Sequence, residues 1–312
     1  MRRREFMGAC AAAAVASSLP VNAVSFANAE GTQAPFKLSV MLWTVYRDMP
    51  FEARLEKVAA AGYHAVELVG EFKDWTPAQF DAARRKKDEL KIEFDATAGV
   101  WHTLADANDR DAFLKSLREF FPIMEKLECS KLILQSGNTV PGSSAEQMRA
   151  NCIETLKRGG DLAAQNKIEL LVENIDPEEN PKYFLTSSAE GFEIVQSVGN
   201  PSVKLLYDLF HEQIAEGNLI AKLQKNIDKI GLIHIADVPG RHEPGTGEIN
   251  YENVFRKLGE LNYQRYAAME FIPTGDPVEN LRSAREMAVK FGQAGRSHAS
   301  AGISNRGIHA SA

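Results

Sequence analysis

A single (β/α)8 barrel is the fold class this sequence predicts, and three observations predict it. Eight short β-rich runs alternate with eight longer helical patterns. Most of the runs are near-continuous apolar stretches, as expected of parallel strands covered on both faces. The alternation occupies about 250 residues, the usual size of such a barrel. An open doubly wound sheet is the competitor. It would usually carry a glycine-rich phosphate loop after its first strand, and "VMLWTVYRDMP" has none.

The first run, 37–43, leads into "FEARLEKVAAAG" (51–62), where apolar residues recur at i, i+3, i+4 and i+7 until Gly62 stops the helix. After the run 65–69, the helix over 76–90 opens with a Thr76 cap and Pro77 at its first position. The run 92–98 precedes a helix over 111–127 in which Pro122 predicts a kink. A strand over 131–137 and a long helix over 143–167 follow, then a strand over 168–174 and a helix over 188–199 with capping-box spacing. The last three pairs are strands over 203–209, 230–237 and 266–272, with helices over 214–227, 250–262 and 276–292.

The barrel therefore spans 36–291, leaving two ends. Residues 1–29 combine Arg3-Arg4, a short Ala-rich apolar run and the small-x-small site Ala27-Asn28-Ala29. That describes an export signal of twin-arginine type, too short to anchor a membrane helix. The expected partner is the twin-arginine export machinery, and the expected location is the bacterial periplasm. Residues 292–312 are Gly/Ser/Ala-rich and are expected to be a disordered tail, with His298 and His309 as solvated bystanders. Cys129 and Cys152 are too few for a disulfide framework and read as buried thiols. The net charge is −6, and no basic run follows the leader, so nucleic acid is disfavoured as a partner. A homo-oligomer remains open.

Chemistry in such a barrel sits where strands pass into their following loops. The last four strands place Glu173 in "LLVEN", Asp208 in "LLYDLFH", His234 in "LIHIAD" and Glu270 in "AAMEF" at that end. Three carboxylates buried together need a counter-charge, because each desolvated ion costs several kcal/mol. One divalent ion, Mn²⁺, Mg²⁺ or Co²⁺, resolves the conflict with these four groups as ligands. Glu67, closing "AVELV", reads either as a residue bonded to a ligand or substrate hydroxyl or as a plain salt bridge. His102 and Trp101 in "GVWHTLAD" lie at the mouth and read as pocket wall or as packing; His64 precedes its strand, at the wrong end.

The segments "VENID", "YDLFHEQIAEGNL", "HIADVPGRHEPGTGEINY" and "MEFIP" resemble the xylose-isomerase-like barrel superfamily, most closely its hydroxypyruvate isomerase branch. The resemblance covers roughly residues 36–290 and is weaker in the first half. It implies the same metal ligands, Glu173, Asp208, His234 and Glu270; some relatives have an amide at the His234 position. It also implies that His211 and Arg241 hold substrate oxygens. In "PGRHEPGTG", Asp237 is expected to orient the loop, Glu243 and Glu248 to shape it, and His242 to face solvent.

The expected reaction is an aldose-ketose type isomerisation through an enediolate, most specifically of hydroxypyruvate to tartronate semialdehyde. Glu173 and Glu270 are the expected proton carriers, their order undecided. A C3-epimerase or isomerase of another keto-sugar is the first alternative. A metal-dependent phosphodiesterase would need more histidines and a basic groove. A non-catalytic periplasmic sugar-binding protein would need two lobes and a hinge.

Overall fold

The computed structural model describes residues 33–306. The expected leader, 1–29, lies outside them, as do the last residues of the expected tail. Eight parallel strands close into a barrel in chain order: β1 (Lys37–Met41), β2 (Ala65–Val69), β3 (Glu93–Ala98), β4 (Lys131–Gln135), β5 (Glu169–Glu173), β6 (Val203–Asp208), β7 (Ile230–Ile235) and β8 (Tyr266–Met269), with β8 pairing back onto β1. Helices cover the outside: α1 (Phe51–Ala60), α2 (Pro77–Leu90), α3 (Arg110–Leu127), α4 (Ala145–Gln165), α5 (Ser188–Val198), α6 (Leu209–Ala215), α7 (Leu219–Asn226), α8 (Tyr251–Glu260) and α9 (Pro277–Arg306). Among the described residues no helix is long and apolar enough to cross a membrane.

Strand alternation divides the apolar residues into two layers. Outward side chains such as Val40, Val66, Leu170, Leu205 and Ile233 pack under the helices in the main core. Inward ones, including Met41, Ile133, Leu171, Leu206 and Leu232, fill the barrel. Four of the inward residues are only alanines, Ala65, Ala96, Ala98 and Ala268. Their small volume leaves room for the buried polar groups Ser39, Glu67 and Asp95.

Three expectations need correction or refinement. The helix expected over 214–227 is two short helices, broken at Gly217 and Asn218, both at positive φ. α6 starts early because Asp208 caps it, accepting from Phe210 N at 2.8 Å and His211 N at 3.2 Å. α3 continues as helix through Pro122. The stretch from 292, expected to be disordered, continues α9 as far as Arg306. Glycine lets it pack there: a Cβ on Gly259 of α8 would lie 2.0 Å from the Gly292 carbonyl oxygen. Gly295 meets α8 in the same way, a Cβ there falling 1.9 Å from the Arg256 carbonyl oxygen.

Candidate active site

The strand period builds the site. Leu171, Leu206, Leu232 and Ala268 belong to one inward layer. Two residues further on, on the same face, come Glu173, Asp208, His234 and Glu270. Register sets Asp208 beside His234 on neighbouring strands. All four are buried, and one ligand atom from each lies within 4.8 Å of the others.

His234 Nδ1 lies 2.7 Å from Glu270 Oε2, 3.4 Å from Glu173 Oε1 and 3.7 Å from Asp208 Oδ2. These are close ionic contacts without hydrogen-bond geometry: Nδ1, Asp208 Oδ2 and Glu270 Oε2 have no hydrogen-bond partner. Buried polar atoms are seldom left so. Three carboxylate oxygens and an imidazole nitrogen converge, three of the four atoms lacking a hydrogen-bond partner, and the set fits one divalent cation of the Mn²⁺, Mg²⁺ or Co²⁺ kind. Burial raises the Glu173 carboxyl above its usual range, more than His234 lowers it. Burial works the same way on Asp208, but His211, His234 and Arg241 hold that carboxyl well below the usual range. Glu270 is also lowered, because His234 and Arg241 outweigh its burial.

His211 and Arg241 reach the same place. The Asp208 cap sets His211 in the first turn of α6, and His211 Nδ1 lies 2.6 Å from Asp176 Oδ2. Burial alone would lower the imidazole pKa, but Asp208 and the Asp176 bond push it up to about 9. Arg241 sits at φ +56°. Its guanidinium lies 4.9 Å from the Phe210 ring centre and 5.5 Å from that of Trp43. It contacts Glu270 Oε2 at 2.8 Å and Glu179 Oε2 at 3.1 Å. A planar, always-charged fork held between rings is suited to carboxylate or paired oxygens.

The loop carrying Arg241 is tied down as expected from Asp237. Its carboxylate accepts from Val238 N, Gly245 N, Gly247 N and Ile249 N, all at 2.9–3.0 Å. Gly247 is required by close approach: a Cβ there would lie 2.1 Å from the Val238 carbonyl oxygen. Glu243 fastens the loop to the one after β8 through Thr274 N and to α9 through Asn280 Nδ2. Glu248 accepts from Gln213 Nε2. His242, expected in solvent, is half-buried, with Nδ1 2.8 Å from the Ile272 carbonyl oxygen.

The structure narrows the readings left open for Glu67 and His102. Glu67 is wholly buried inside the barrel and meets His234 Nε2, the far nitrogen of the candidate ligand, at 3.0 Å. His102 has both ring nitrogens engaged, by Asp109 Oδ1 and Ser116 Oγ at 2.8 Å each, and braces the loop after β3. Trp101 is exposed, and His64 stands at the other end of β2. The sequence reading missed Trp43, whose indole donates to Glu270 Oε1 at 2.9 Å, and the acids Asp176 and Glu179 around His211 and Arg241. The spacing Ser39, Met41, Trp43 along the first run was the available signal for the tryptophan.

A profile for a xylose isomerase-like TIM barrel matches residues 55–290. The chain is 30% identical to the 2-oxo-tetronate isomerase of Haemophilus influenzae, over 78% of this chain and 96% of that one. It is 29% identical to the hydroxypyruvate isomerase of Escherichia coli K12, over 79% and 97%. Among solved structures, one titled AP endonuclease, family 2 from Brucella melitensis is 26% identical, with a TM-score of 0.72 over 78% of this chain and 96% of that chain.

Proposed function

The chain belongs to the xylose isomerase-like TIM barrel family and is an isomerase, and we propose that it is a metal-dependent one acting on a 3-hydroxy-2-oxo acid. The reaction we assign is hydroxypyruvate to tartronate semialdehyde; 2-oxo-tetronate, the substrate named for the Haemophilus relative, has the same reacting group. The observation that carries this reading is the convergence of Glu173, Asp208, His234 and Glu270 on the inner face of four successive strands.

Those four residues would hold the ion, and its chemistry there would be Lewis-acid stabilisation of negative charge on adjacent substrate oxygens. The protein's own groups supply the rest. The isomerisation takes a proton from C3, next to the carbonyl, and returns one at C2, while the hydroxyl proton on O3 is lost and one is gained on O2. Glu173, ending β5, and Glu270, directly after β8, stand at the two ends of the four-strand arc and are the carboxylates available to take and return the carbon-bound proton. Trp43 fixes one Glu270 oxygen. His211, held by Asp176, is positioned to donate to a substrate oxygen, and Arg241 to receive the carboxylate. An epimerase would use the same two carboxylates on a longer ketose. A nuclease of the kind named for the Brucella structure is disfavoured by the second acidic cluster. Asp176, Glu179 and His211 lie close together, but the Arg241 guanidinium sits 3.1 Å from Glu179 and 3.4 Å from His211 Nε2, where a further ion would be needed.

Glu173→Gln and Glu270→Gln test the assignment. Each is expected to lower kcat by roughly two to four orders of magnitude, the usual loss when a general base is removed. Metal content must be measured on both. A Glu270→Gln protein with full metal and near wild-type turnover would remove Glu270 from proton transfer.

A further inference from the structure

We propose that Glu67 is the positioning residue of the metal centre, fixing the His234 ring so that Nδ1, and not a carbon, faces the carboxylates; this rests on the metal-site reading above. β2 and β7 are not neighbours in the sheet, so the 3.0 Å contact between Glu67 and His234 Nε2 crosses the barrel interior. The imidazole is thereby held at both edges. Nε2 is committed to Glu67 beneath, and Nδ1 is turned toward Glu270, Glu173 and Asp208 above. Turning the ring over would exchange Nδ1 for a carbon and leave the Glu67 carboxylate without its donor.

Glu67 has little else to do. It is 0% exposed, its Oε1 has no hydrogen-bond partner, and His234 is its only hydrogen-bonded or ion-paired partner among the described residues. A carboxylate buried on those terms is a cost to the fold. The cost is understandable if the acid serves the imidazole. An acceptor on the far nitrogen keeps the proton there and makes the near nitrogen a better metal donor. Asp95, the buried acid on the neighbouring strand β3, is engaged separately by Ser39 Oγ at 2.5 Å.

The test is Mn²⁺ affinity, measured by calorimetry on the full chain, in a double-mutant cycle. Glu67→Leu removes the acceptor and is expected to weaken Mn²⁺ binding roughly 10- to 100-fold, the usual effect of losing such a partner. Glu67→Gln keeps an oxygen and should recover most of that loss. In a His234→Gln background the ligand has no ring to orient, so both Glu67 changes should cost less than about threefold. Equal losses in the two backgrounds, or a Glu67→Leu protein binding as wild type does, would overturn the assignment. Should Glu67→Leu fail to fold, imidazole ¹⁵N NMR of the Zn²⁺-loaded wild-type protein decides: Nε2 is expected to keep its proton, and a metal-bound Nε2 overturns the proposal. Wild-type protein with no divalent-ion binding at all would overturn the metal-site reading itself.

Discussion

The indole Nε1–H of Trp43 donates to Glu270 Oε1 across 2.9 Å, joining the exit of the first strand to that of the last. One oxygen of Glu270 is thus fixed by a neutral donor, while the other faces His234 and Arg241. Trp43→Phe keeps the ring that flanks Arg241 and removes the donor. It is expected to lower kcat about tenfold, in line with loss of about 1–1.5 kcal/mol from one hydrogen bond. Metal affinity should stay within about threefold, because the ligand oxygen is the other one. Steady-state kinetics beside calorimetry would separate the two effects.

Asp237 organises the loop that carries Arg241 through four backbone N–H groups. Asp237→Ala would leave those donors without their acceptor and is expected to cost about 3 kcal/mol of stability. KM should rise more than kcat falls, since the loop presents Arg241 rather than the proton-carrying carboxylates. Asp237→Asn retains one oxygen and should lose about half as much. Denaturant unfolding and kinetics on the two variants check this.

The two thiols make a pH-dependent prediction. Burial pushes Cys129 and Cys152 up to about 12 each. In the native protein both remain neutral at pH 8 and should react slowly with a thiol reagent, at a rate rising about tenfold per pH unit. An unfolded cysteine ionises near pH 8.5. Above that pH the unfolded chain loses protons that the native chain keeps, so stability should fall between about pH 8.5 and 12. Cys152→Ala should reduce that slope. Full labelling of the native protein within seconds at pH 8 would contradict the burial argument.

We propose export in folded form for the segment outside the described residues, from Arg3-Arg4 and the short apolar run behind them. Replacing both arginines by lysine is expected to retain the precursor in the cytoplasm. Fractionation showing undiminished export would overturn it.

Much of this site was legible because barrel strands put chemistry at fixed positions. "LLVE", "LLYD", "LIHI" and "AAME" each end an inward apolar series with a polar residue, and period two carries that residue to the mouth. Trp43 was not legible because an aromatic residue ending an apolar run reads as core. Glu67 was expected at a strand end but is the middle residue of β2, and its partner across the barrel depends on closure, which no local spacing encodes. His102 was left open between pocket wall and packing for the same reason: Asp109 and Ser116, which engage it, become neighbours only when the loop folds against α3. The extension of α9 past Gly292 was hidden by composition, since Gly292 and Gly295 serve close packing on α8.

The central claim is proton transfer between adjacent carbons of a 2-oxo acid. Its most direct test is ¹H NMR of Mg²⁺-loaded protein in D₂O with hydroxypyruvate, and separately with 2-oxo-tetronate. Conversion of at least one to its isomer, with solvent deuterium appearing at the reacting carbons and none after chelation, is the predicted result. Both acids recovered unchanged and unexchanged, from protein shown to hold one ion per chain, would contradict the account.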